Sequence, residues 1–109
     1  MKFEIFQSEK DHKFYFRLKA KNGRIILSSQ GYASKQGCQH GIHSVKRNGK
    51  DKVRYIIHTS SNGRYYYNLR ARNGQIIGKS QTYSSAVACE NGIQTLLEKI
   101  ETANIVFLF

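Results

Sequence analysis

The stretch Phe14–Val45, FYFRLKAKNGRIILSSQGYASKQGCQHGIHSV, decides the fold, because it recurs without a gap 51 positions later as Tyr65–Leu96, YYYNLRARNGQIIGKSQTYSSAVACENGIQTL. Identical pairs include Leu18/Leu69, Ala20/Ala71, Asn22/Asn73, Gly23/Gly74, Ile25/Ile76, Ile26/Ile77, Ser29/Ser80, Gln30/Gln81, Tyr32/Tyr83, Ser34/Ser85, Cys38/Cys89, Gly41/Gly92 and Ile42/Ile93. Self-similarity at a fixed period marks a duplicated structural unit. Positions kept in both copies report what that unit needs.

Each copy reads as three strands and a helix. Phe3 and Ile5 alternate with polar residues, as a strand does. Phe14, Phe16, Leu18 and Ala20 alternate with Tyr15, Arg17, Lys19 and Lys21, a half-buried strand of period two. Asn22-Gly23 supplies the positive φ of a tight turn, and Arg24–Ser29 returns. The second copy repeats this with Tyr65, Tyr67, Leu69 and Ala71 inward, Asn73-Gly74 at the turn and Gln75–Ser80 returning. Ser34 and Ser85 stand where helix N-caps belong. Behind them, Cys38, Ile42 and Val45, then Cys89, Ile93, Leu96 and Ile100, recur at helical spacing. Gly49 is expected to close the first helix as a left-handed cap. Gly41 and Gly92 lie inside the helices, where glycine costs about 1 kcal/mol relative to alanine, so another element is expected to approach closely there.

Beyond the helix, Val53–His58 falls on Asn104–Phe109 at the same displacement, so each copy is expected to end in a strand. Tyr55 and Ile57 also match Phe3 and Ile5 with one residue deleted, so the same segment begins the second copy. The final IVFLF is read as a buried strand.

The motifs FRLKAKNGRIILSSQGYASK (16–35) and YYYNLRARNGQIIGKSQTYSS (65–85), each followed by a helix carrying Gly-Ile, resemble the YegP-like family of small bacterial proteins. The resemblance covers nearly the whole chain. It implies a β3-α-β unit, present as a tandem pair or as a dimer of single units, whose copies share one antiparallel sheet and exchange their last strands. With both units in one chain, the expectation is an α+β fold: a single domain over residues 1–109, with repeat 1 about 1–52 and repeat 2 about 53–109. One antiparallel sheet would carry two helices on one face in a pseudo-twofold monomer. The family carries no activity and no functional residue to transfer.

A chain of 109 residues, 39% hydrophobic and without proline, has room for one modest core. No apolar run is long enough for a signal peptide or a membrane span, so a cytoplasmic protein with no membrane partner is expected. Cys38 and Cys89 are then expected to be buried thiols. The net charge of +11, from 18 Lys and Arg against 7 Asp and Glu, favours polyanionic partners.

The seven acids, Glu4 among them, share no position between copies and read as solvated charges. His40 and His43 lie near Cys38, but Asn91 and Gln94 replace them in the second copy, so they read as surface residues. Tyr32 and Tyr83 read as plugs over the helix starts. Catalytic, cofactor and metal sites are all expected to be absent, and the chain reads as non-enzymatic. The outward parity of the second strand is more informative. Tyr15, Arg17, Lys19 and Lys21, with Tyr66, Arg70 and Arg72, alternate away from the core, and charge is kept where identity drifts. Open sheets of this kind stack bases on aromatics while cations hold phosphates. These seven residues are the candidate nucleic-acid or polyanion site. The alternative is a protein-interaction module for an acidic partner or an added edge strand.

Overall fold

A computed structural model describes all 109 residues. Strands β1 (Lys2–Gln7), β2 (Phe14–Lys19) and β3 (Ile25–Ser28) precede helix α1 (Lys35–Asn48). Strands β4 (Tyr55–Thr59), β5 (Tyr65–Arg70) and β6 (Ile76–Lys79) precede helix α2 (Ala86–Lys99), and β7 (Asn104–Phe107) closes the chain. Ser34 and Ser85 cap the helices, their hydroxyls accepting from the Gly37 and Ala88 amides. Gly23 and Gly74 turn the β2–β3 and β5–β6 hairpins at φ +84° and +85°.

The strands form one sheet in the order β4-β5-β6-β3-β2-β1-β7, so the pseudo-twofold axis falls between β3 and β6. The two halves join there at a short antiparallel bridge, Ser28 to Lys79. Gly78 takes the position equivalent to Leu27, and a Cβ on it would lie 2.8 Å from the Leu27 side chain. The axis thus has room for one leucine, not two. Both helices cover the same face. Phe3, Ile5, Phe16, Leu18, Tyr67 and Leu69 meet Cys38, Ile42, Cys89, Ile93 and Leu96 in one buried cluster. α1 packs on β1 and β2 and reaches across to β5 and β6, tying the halves together.

Three expectations need correction. The sheet is mixed, because β7 runs parallel to β1, with Ile105 opposite Phe3. These strands come from opposite ends of the chain, so no hairpin imposes an antiparallel pairing. The final strand is an edge, not a buried strand: Ile105 and Val106 are half-buried, while Phe107, Leu108 and Phe109 are 47%, 44% and 54% exposed. Gly49 is right-handed, at φ −68°. Glycine is needed there for space: a Cβ would meet Ile100 Cδ1 at 2.8 Å and the Tyr55 hydroxyl at 3.0 Å.

The two helical glycines also act through space. Ideal Cβ atoms on Gly41 and Gly92 would fall on the Tyr32 and Tyr83 hydroxyls. Each tyrosine bridges to the start of its half's second strand, Phe14 or Tyr65, and stacks on Phe16 or Tyr67. The plugs over the helices and the glycines beneath them are one device, made twice.

Candidate polyanion-binding face

With both helices on one side, the other side of the sheet is open, and side-chain alternation decides what it presents. In the first half, β1 contributes Lys2, Glu4 and Phe6, and β2 contributes Tyr15, Arg17 and Lys19; Glu4 pairs with Arg17 and Phe6 with Tyr15. In the second half, β4 contributes Ile56 and His58, β5 contributes Tyr66, Asn68 and Arg70, and β6 adds Lys79. Phe3 pairs with Leu18 as Tyr55 pairs with Leu69, so Glu4 corresponds to Ile56 and Phe6 to His58.

The first half neutralises itself. Glu4 is only 5% exposed. One of its carboxylate oxygens accepts from Arg17 Nε at 2.8 Å and pairs with Lys19 Nζ at 3.2 Å, while Lys2 Nζ lies 3.7 Å from the other. The hydrogen bond from Arg17 holds the carboxyl below its ordinary pKa, helped by Lys19 and opposed by burial. Arg17 also covers the Phe6 ring at 4.6 Å, Phe6 stacks on Tyr15, and the Tyr15 hydroxyl donates to Asp11. The sequence reading of Glu4 as a solvated charge is therefore overturned. Because β7 covers the edge of β1, Glu4 sits inside the sheet, directly across from Arg17.

The second half has no acid in that place. Ile56 stands there, 37% exposed. Arg70 and Lys79 form no ion pair with any carboxylate. Lys79 Nζ lies over the Tyr66 ring at 4.8 Å, and Tyr66 stacks on His58 at 5.2 Å. His58 Nε2, Asn68 Oδ1 and Arg70 Nε are buried without a protein hydrogen-bond partner. Buried polar groups normally find partners, and here three unmet ones share one face. Beside them, where the halves meet, lies a cleft of about 430 Å³ lined by Ser28, Ser29, Gln30, Tyr66, Asn68 and Lys79.

Of the seven candidates, Tyr15, Arg17 and Lys19 come together on the self-neutralised half, and Tyr66 and Arg70 on the other. Lys21 and Arg72 are not brought to this face. The pairing shifts between Leu18 and Lys19, and between Leu69 and Arg70, so strict alternation ends there. Lys21 then lines a cleft with Thr95 and Lys99 of α2, and Arg72 one with Arg47, Asp51 and Arg54 near the end of α1. Sequence reasoning missed Glu4, Ile56, His58, Asn68 and Lys79. For Glu4, Ile56 and His58 the signal was present in the outward parity of the first strand of each copy, at a displacement of 52, and for Asn68 in that of the second strand.

The other reactive groups belong to the core. Cys38 and Cys89 are fully buried free thiols; burial pushes Cys38 up to about 11 and raises Cys89 as well. Neither is a thiolate near neutral pH. Tyr67 donates to the Ile26 carbonyl at 3.1 Å across the junction of the halves, a bond that Phe16 in the equivalent place cannot make.

Fold and face together define a class: a tandem β3-α-β protein with one mixed sheet, helices on one side and a basic, aromatic surface on the other. The family model described as Domain of unknown function (DUF1508) matches twice, over residues 9–55 and 60–106, and the chain belongs to this family. The UPF0339 protein YegP of Escherichia coli (strain K12) is 47% identical over 94 residues, spanning 86% of this chain and 84% of that protein. A UPF0339 protein in the ptx operon 5' region of Stutzerimonas stutzeri is 41% identical over 104 residues, covering 95% and 93% of the two chains. The solution NMR structure of a UPF0339 protein from Shewanella oneidensis superposes with a TM-score of 0.89 at 42% identity, covering 98% of this chain and 90% of that one. No helix is long and apolar enough to cross a membrane.

Proposed function

We propose that the chain is a small non-enzymatic, cytoplasmic, monomeric module that binds polyanions, single-stranded nucleic acid foremost, through the open face of its second half. One observation carries this reading: Ile56 occupies the place of Glu4, which leaves Arg70 and Lys79 uncompensated beside the stacked Tyr66–His58 pair. Cations on such a face hold phosphates, and aromatic rings hold bases without strong sequence preference.

Fluorescence anisotropy with single-stranded DNA, single-stranded RNA and duplex, each at two salt concentrations, tests the reading. Binding should weaken steeply with salt. Arg70→Ala should flatten the log–log slope by about 0.7, one phosphate contact, whereas Lys19→Ala should leave it nearly unchanged. Tyr66→Ala should cost about 1–3 kcal/mol with little change of slope. Absence of binding to every nucleic acid at low salt would overturn the proposal in favour of an acidic protein partner.

A further inference from the structure

The pseudo-twofold symmetry is broken at the rim of the sheet, and the break leaves a place for a strand. β1 carries β7 on its outer side, whereas its counterpart β4 carries nothing. The sequence explains why. Val53–His58 aligns both with the terminal strand and, at a displacement of 52, with the first strand. One segment cannot fill both places, and it takes the first-strand place as β4. The terminal-strand place of that half stays vacant.

In the occupied half, Ile105 lies opposite Phe3 and packs against the core, and Lys46 of α1 donates to the Ala103 carbonyl at 2.7 Å where the strand begins. Farther along, Phe109 packs edge-on to Phe14, beneath Lys35 at the start of α1. On the matching track in the vacant half, α2 carries apolar residues at three positions where α1 carries polar ones. Leu97 replaces Lys46, and Ala86 and Val87 replace Lys35 and Gln36. Where Ile105 would sit there is instead a cavity of about 250 Å³ between β4 and α2, with apolar Tyr55, Ile57 and Ile93 in its wall and polar Lys52, Glu90, Asn91 and Gln94 around them. At the far end, where Phe109 would sit, Val87 is 67% exposed.

We propose that the outer edge of β4 is a strand-addition site for an extended segment of a partner protein. That segment runs parallel to β4 and places a branched aliphatic side chain in the β4–α2 cavity and a large apolar one four residues later against Val87. An exposed strand edge is a ready template for such pairing, with side-chain pockets giving selectivity. The seated β7 shows what the fold accepts in the equivalent position. A second copy cannot donate its own β7 without baring its β1, so the occupant is a different chain.

The probe is a fluorescein-labelled peptide of the sequence of residues 103–109, carrying added lysines for solubility, titrated onto the intact protein. Saturable binding is expected, with amide shift changes confined to β4 and α2. Asn91→Trp, at an exposed position on the cavity wall, should weaken binding at least tenfold, and Val87→Glu severalfold, with both variants folded as judged by their unchanged dispersion of amide shifts. Shift changes centred on β1, meaning exchange with β7, would overturn the proposal. So would variants that bind like wild type, the absence of saturable binding, or a wild-type protein that self-associates through β4.

Discussion

The two halves of the open face share a fold and a basic strand, yet only the first balances its own charge. Arg17 and Lys19 converge on a buried Glu4, whereas Arg70 pairs with no carboxylate, the place of Glu4 being held by Ile56 across from amidic Asn68. Formal charge and available charge are therefore different quantities. A net charge of +11 says that the surface is basic; one cross-strand carboxylate decides which half of it can still take up an anion. Charge pairs within a sheet act between facing and diagonal neighbours, which is the geometry Glu4 exploits.

The comparison holds only if the halves are structurally equivalent beneath the face. Leu18 and Leu69 are both fully buried at matching sites. Replacing either by alanine should cost about 2–5 kcal/mol, and the two losses should be similar by chemical denaturation. An unchanged midpoint for one of them would break the equivalence. The rims, by contrast, should differ. Removing Ile105–Phe109 uncovers β1 and the apolar core behind it, so aggregation should follow, read by light scattering. A truncated chain that stays monomeric and equally stable would show that β7 contributes nothing to the first half.

The Glu4 cluster gives a smaller, pH-dependent difference between the halves. Its folded pKa is depressed, chiefly by Arg17. Its stabilisation is therefore fully present above the unfolded-chain value of about 4.3 and is lost as pH falls through the folded value. Glu4→Gln should lower the denaturation midpoint at pH 7, and the gap to wild type should close as the solution is acidified below 4. A gap independent of pH would mean that the carboxylate is not what holds Arg17 and Lys19. Smallest of all should be the difference between the thiols. Both Cys38 and Cys89 are buried with raised pKa values, so neither should react with a thiol reagent at pH 7 faster than the protein unfolds.

Much of the fold was legible because the chain contains its own comparison. The shared Asn-Gly turns, the Ser caps and the inward Leu18/Leu69 parity each report a local requirement, and local requirements repeat. The parallel seat of β7 was not legible, because strand direction at a rim is set by where α2 delivers the chain. Of the candidate face, the parity of Tyr15, Arg17, Lys19, Tyr66 and Arg70 could be read along a single strand. Lys21 and Arg72 misled because the pairing irregularity beside each turn ends the alternation before it reaches them. The contrast between Glu4 and Ile56 was overlooked because it shows only at a displacement of 52, one residue out of step with everything downstream.

Exchanging that contrast between the halves tests the central claim most directly. Ile56→Glu places a carboxylate across from Asn68 and within the diagonal reach of Arg70, while Glu4→Gln removes the one that holds Arg17 and Lys19. Binding of single-stranded DNA should be measured for both across a salt series. Ile56→Glu is expected to weaken binding and to flatten the slope by about 0.7, and Glu4→Gln to strengthen binding and steepen the slope. If Ile56→Glu binds like wild type, or if Glu4→Gln binds more weakly at every salt concentration, the account of a self-neutralised half beside an available one is wrong.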